Sequence, residues 1–382
     1  MKFIRLPRAK VLLGTPLTWN VRDEAGNLLL SKGHVVSTES QLDQLLQRGA
    51  FVDVEEARLQ AQTEAPVQIK QMVAPPNLFG LWGKTAEALR TLFSQLEHKT
   101  DFGSQLDEFA RHILKLLDSN MDIGIFRAVR QENQPLFYYG YTHAIHTAVM
   151  CVLLSRHLRW APAQVTSLLK AALTMNLSIS DLQGQMAAQD VPMKDRQRAD
   201  IQAHPQKAVD LLEKLGVTDA DWLTAVLQHH ERADGSGYPS HCTAVSDMAI
   251  ALRVCDVLMA KISPRTLRAA LSPQDAVRQL YREDNGGPIS TAIIKEFGIY
   301  PPGNFVKLAS GELGIVVQRT GNAKAPVVAV ITDTAGRPVS RTVRRDTAQA
   351  EFAITGTHSD LALLKRLPPE RLYGFSNLPG TP

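Results

Sequence analysis

The segment HHERADGSGYP at 229–239 holds the densest chemistry in the chain: two adjacent histidines, a glutamate, an aspartate, and a glycine-bearing turn that ends in Tyr238 and Pro239. Imidazoles beside carboxylates suit divalent transition metals. A hydrolase acting on a phosphodiester gains from two close metal ions, which activate water and neutralise developing charge. Histidine nitrogens and bridging carboxylates would supply the ligands, and such side chains, carried on separate helices, can converge inside a bundle. The plainer reading of the loop is structural, since Gly235 and Gly237 permit tight backbone turns that would orient His229 and His230.

The elements that must hold these residues are mostly helical. From 121 to 300, apolar residues recur at three- and four-residue spacing, so this stretch is the central domain. Residues 1–57 read as a small β-rich domain with a short helix, STESQLDQLLQRG, that opens on a Ser/Thr cap and stops at Gly49. Residues 58–80 gather Gln, Ala and Pro and read as a linker. Two amphipathic helices over 81–120 follow, with Leu89, Leu92, Phe93 and Leu96 on one stripe and Leu106, Phe109, Ile113, Leu116 and Leu117 on the next; they could connect domains or pair two copies as a homodimer. Residues 301–365 alternate apolar and polar side chains between Gly and Pro turns, as a small antiparallel β module does, and 366–382 read as a loosely ordered tail. The expected fold class is therefore mainly α, a helical-bundle domain flanked by an N-terminal β-rich domain and a C-terminal antiparallel β module.

Composition narrows the function classes. The 382 residues are 44% hydrophobic and 21% charged, with no run of about 18 uninterrupted apolar residues, so no membrane span is expected and the cytoplasm is the default location. A net charge of +4, with both signs mixed along the chain, does not argue for a nucleic-acid polymer as partner. Cys151, Cys242 and Cys255 form no CxxC pair and read as reduced thiols. Trp82, Trp160 and Trp222 read as core anchors, and Asp122 and Asp181 as helix caps.

The text at 229–239 matches the HHExxDGxGYP signature, and the chain resembles the HD-GYP family, whose members are cyclic-di-GMP phosphodiesterases of the HD phosphohydrolase superfamily. The resemblance runs through most of the central domain in order: YTHAIHTAVM, IQAHPQKAVDLLEKLG, HHERADGSGYP and ALRVCDVLMAKISPR. It implies His146, His204, His229, His230 and Asp256 as metal ligands, with Glu231 steadying a ligating histidine. Thr142 would stand where some members carry a glutamate for a third metal, and His143 and His157 read as surface or helix-end residues. Arg265 and Arg268 match positions where basic residues face the dinucleotide phosphates, and a planar guanidinium binds phosphate oxygens in pairs. Gly237, Tyr238 and Pro239 are implied in docking partners of the GGDEF or PilZ kind.

One stretch departs from the family. Where members read roughly ALLHDIGK, this chain reads ALTMNLSI: Met175 stands for the histidine, Asn176 for the metal-bridging aspartate, and Ser178 and Ile179 for Gly and Lys. Asparagine lacks the negative charge with which a carboxylate bridges two cations, and a thioether suits soft metals. A two-metal centre is not expected; one divalent iron, manganese or zinc ion on His204, His229 and His230 is the intermediate case. No residue is assigned as catalytic. The leading expectation is a degenerate HD-GYP protein that binds cyclic-di-GMP, a related dinucleotide, or a partner protein with little or no hydrolysis. The alternative is an active phosphodiesterase with a mononuclear site, and a third reading is an adaptor whose β modules do the binding.

Overall fold

The computed structural model describes residues 3–11, 13–36, 38–56, 77–96, 101–131, 135–339, 342–358 and 368–374, and divides into two compact units, Met1–Ala74 and Pro75–Pro382. Most of the expected linker, 58–80, lies outside the described residues.

In the first unit, β1 (Phe3–Arg5), β2 (Val21–Arg22), β3 (Leu28–Leu30) and β4 (Phe51–Asp53) form an antiparallel sheet in the order β1-β4-β2-β3. The helix Glu39–Gln47 starts where the Thr38 hydroxyl accepts from the Gln41 amide at 3.2 Å. Its Leu42 and Leu45 close a small core with Leu17, Val21 and Val52.

In the second unit, the helix Tyr139–His157 is buried along nearly its whole length. Its text, YGYTHAIHTAVMCVLLSRH, carries no broad polar face, and a helix apolar on all sides belongs in the middle of a core. Helices Pro162–Thr174, Ser180–Ala188, Asp247–Ile262 and Pro288–Phe297 pack around it. Gly140 makes one of these approaches possible, because a Cβ there would lie 2.1 Å from the Ser180 carbonyl oxygen. Asn120, Asp219 and Ser246 cap the helices that follow them.

The stretch read as connecting helices begins earlier and does different work. Helices Leu78–Gly83, Thr85–Phe93 and Phe102–Ser119 place Phe79, Leu89, Leu92, Leu106, Ile113 and Leu117 in the main core. Most of both stripes is therefore covered within one chain, with Phe93, Leu96 and Phe109 only partly buried.

The C-terminal module is also built into this unit. Strands β5 (Phe305–Leu308), β6 (Leu313–Gln318), β7 (Val327–Val330), β8 (Arg344–Asp346) and β9 (Ile354–Thr357) form an antiparallel sheet in the order β8-β7-β6-β5-β9. One face sends Phe305, Ile315, Val317 and Ala329 into the helical core, while Val306, Leu308, Val316 and Val328 form a smaller cluster. Arg319 ties the sheet to the helices through Asp122 at 2.5 Å and the Glu296 backbone oxygen at 2.8 Å. Asp122 is thus an ion-pair partner and not a cap. Asp181 likewise accepts from the Tyr141 hydroxyl at 2.7 Å. Within the expected tail, Leu372 is buried and Tyr373 packs on Phe79 and Phe126, so 368–374 is ordered; 375–382 lies outside the described residues.

Candidate metal and dinucleotide site

His204 lies in the helix Asp195–Lys214 directly before Pro205. Proline has no N–H, so the Ile201 carbonyl one turn back loses its helical partner. His204 Nδ1 donates to that carbonyl instead. At the end of the helix Ala220–Gln228, where carbonyls are left unpaired, His229 Nδ1 donates to the Val226 oxygen at 2.6 Å. Both neutral rings therefore present a lone pair at Nε2, and the two Nε2 atoms face each other at 3.1 Å. Two lone pairs at that distance repel unless a cation lies between them. With His230, they offer three nitrogens within 4.8 Å of one another.

Burial keeps these imidazoles neutral. It pushes His204 down to about 3, with the neighbouring His229 adding to the effect, and it also lowers His229 and His230. Neutral, buried and tautomerically fixed imidazoles fit a divalent metal. Such an ion would supply Lewis acidity and an activated water.

Asp256 projects from the helix Asp247–Ile262, and its Oδ1 lies 2.6 Å from His143 Nε2. Burial would raise this carboxyl, but the hydrogen bond and charge of His143, with His230 and His229, hold it well below the usual carboxylate range. His143 is thus inside the site, contrary to its reading as a surface residue. His146 is not. Three residues further along the same buried helix, it lines a different cavity with Arg127 and Thr142. The position one turn before His143 is Tyr139, not Thr142. Tyr139 stacks on His143 at 5.4 Å and accepts from Arg265 at 2.7 Å. A row of contacts therefore runs Asp256, His143, Tyr139, Arg265 along one wall.

That wall bounds a cavity of about 380 Å3, which Asn176, Gln183, His204, His230, Tyr238 and Arg268 also line. Arg265 and Arg268 sit in one tight turn, each amide donating to the other's carbonyl, at 3.0 and 3.1 Å. Burial and the charge of Arg265 lower the Arg268 pKa. Met193 and Leu267 add exposed apolar surface to the lining.

Met175 is fully buried in the hydrophobic core, while Asn176 lines the cavity. The Ser178 hydroxyl donates to the His204 backbone oxygen at 3.1 Å. Glu231 does not steady a histidine: its Oε1 accepts from the Ser240 amide at 2.6 Å and so holds the loop. Gly237 is buried, with a Cβ there only 2.4–2.5 Å from the backbone of Glu231, Arg232 and His230. Tyr238 stacks on His230 at 4.5 Å, so the Gly237-Tyr238-Pro239 segment turns its ring towards the site and not outwards. His157 meets Glu296 at 2.8 Å, away from this cavity.

Sequence reasoning missed His143, Tyr139 and Gln183. Gln183 is marked by a buried Oε1 without a hydrogen-bond partner among the described residues.

Residues 127–286 match the HD domain family. Cyclic di-GMP phosphodiesterase PA4108 of Pseudomonas aeruginosa is 28% identical over 190 residues, covering 48% of this chain and 46% of the relative. Over these residues the chain is similar to the HD domain family and to a cyclic di-GMP phosphodiesterase. It spans less than half the length of that curated relative. Among solved structures, Bd1817, a HDG"Y"P protein from Bdellovibrio bacteriovorus, aligns over 76% of this chain and 97% of its own, with a TM-score of 0.46 and 13% identity. In this HD-like domain, His143 and Asp256 form one pole of the site and the three clustered histidines the other. Among the described residues, no helix is long and apolar enough to cross a membrane.

Proposed function

We propose that this HD-GYP domain binds cyclic-di-GMP or a related dinucleotide in the cavity bounded by Arg265, Arg268 and the histidines, and hydrolyses it weakly or not at all. The observation that carries the reading is the fate of the two altered positions: Met175 is withdrawn into the core and Asn176 is the residue left at the cavity. Neither can supply the charged bridge between two cations. The paired arginines suit two phosphodiesters, and Tyr238, Met193 and Leu267 offer faces for bases. The name of the Pseudomonas relative points to the same nucleotide. A partner of the GGDEF or PilZ kind reading the loop would meet exposed Asp234, Ser236 and Ser240 before Gly237.

A second reading, slow hydrolysis with one metal ion, is favoured by the opposed Nε2 atoms of His204 and His229. The experiment is cyclic-di-GMP binding and turnover, followed by calorimetry and chromatography, on protein purified without oxygen and supplied with ferrous iron or manganese, beside Asn176→Asp. Binding without product supports the first reading. Metal-dependent linear product from the native protein supports the second, and absence of binding overturns both.

A further inference from the structure

The helix Tyr139–His157 also borders a second cavity, of about 220 Å3, lined by Trp82, Ala86, Arg127, Tyr138, Ile145 and His146 among others. Arg127 sits in the last turn of the helix Met121–Val129 and makes no hydrogen bond or ion pair among the described residues. Burial lowers its pKa, and Glu370 is the carboxylate whose field works the other way. A half-buried guanidinium with five donors and no close anion among the described residues is unusual, because buried charges are normally paired. Two neutral nitrogens on the cavity lining are equally unmatched: Trp82 Nε1 and His146 Nδ1 are buried and without a partner among the described residues. Among the described residues the only acid on the lining, Glu87, is exposed and accepts from the Tyr138 hydroxyl at 3.0 Å.

We propose that this cavity is a binding site for a small organic monoanion, a carboxylate with a ring-sized apolar body, whose charge meets Arg127 while Ile145, Ala86 and the Trp82 and Tyr138 rings enclose the rest. The volume is below the roughly 300–1,000 Å3 of pockets for larger ligands, which excludes a dinucleotide and sets this site apart from the histidine-lined cavity. The neutral state of His146, held down to about 3 by burial and by the Arg127 charge, lets its ring donate or accept without adding a second cation.

The test is isothermal titration of the full chain with benzoate, with benzamide as the uncharged match and inorganic phosphate as the anion without an apolar body. Benzoate should bind, benzamide should bind at least about tenfold more weakly, and Arg127→Gln should lose benzoate by a similar factor, as expected for a charge-assisted hydrogen bond. The double variant Arg265→Ala, Arg268→Ala should bind benzoate as the native chain does. Trp82→Phe, which keeps an aromatic ring and removes the donor, should weaken benzoate severalfold and serves if Arg127→Gln fails to fold. No benzoate binding, equal binding of benzamide, phosphate binding tighter than benzoate, or loss of benzoate only in the Arg265 and Arg268 variant would each overturn the assignment.

Discussion

The Nε2 atoms of His204 and His229 face each other at 3.1 Å while both Nδ1 atoms are tied to backbone carbonyls. The arrangement leaves two lone pairs converging on one point, which a divalent cation relieves. The native chain loaded anaerobically with zinc or iron should therefore retain about one ion after dialysis, and His229→Ala close to none. Elemental analysis against protein concentration checks this. Pro205→Ala is the subtler variant: the restored amide would compete with His204 for the Ile201 carbonyl. Metal affinity should fall by about tenfold or more, as for other groups that orient a ligand, with no loss of fold stability.

Rebuilding the family's His-Asp pair should be unequal work. Met175 is wholly inside the core, so Met175→His places a polar ring among apolar neighbours and should destabilise the chain by about 1–3 kcal/mol in denaturant titration. Asn176 already lines the cavity, and Asn176→Asp should raise metal retention without a comparable penalty when metal is present.

Gly237→Ala should lower thermal stability by an amount equivalent to about 1–3 kcal/mol, because its Cβ would strike three backbone atoms of the His230, Glu231 and Arg232 segment, which cannot swing aside. Ser236→Ala, one residue away and exposed, serves as the control.

Acid should weaken the fold before it protonates the carboxylates. His146 has its pKa depressed from an ordinary value near 6.5 to about 3, through burial first and then Arg127 and His143. The unfolded chain therefore binds the extra proton more readily, so the stability is complete above pH 6.5 and is lost as pH falls towards 3. Between pH 7 and pH 5 this one group accounts for about 2 kcal/mol. Urea unfolding of the native chain and His146→Gln at both pH values should show a shallower pH dependence in the variant.

The chemistry-bearing text of this domain was legible where local sequence dictates local geometry. HHERADGSGYP and the His204-Pro205 pair each fix a conformation within a few residues, and the three histidines they carry do come together. The choice between His143 and His146 was not legible, because the helix that carries them is buried on nearly every side. With no polar face to set its phase, three residues of offset decide which neighbour a side chain meets. Tyr139 and Gln183 escaped notice because their roles arise from contacts with Arg265 and with the cavity, far along the chain. The stripes at 81–120 were read correctly as amphipathic. What covers them, the rest of the same unit, is a tertiary fact that periodicity does not carry.

The family match ends at residue 286, yet the hydrophobic interior continues through Phe297, Phe305, Ile315, Val317 and Ile331, and on its other side begins at Leu78. A fragment cut to the matched limits would bare both of these faces to water and would be expected to aggregate. The stretch by which this domain is recognised is shorter than the stretch that folds, so a graft into another protein has to carry the sheet and the leading helices with it.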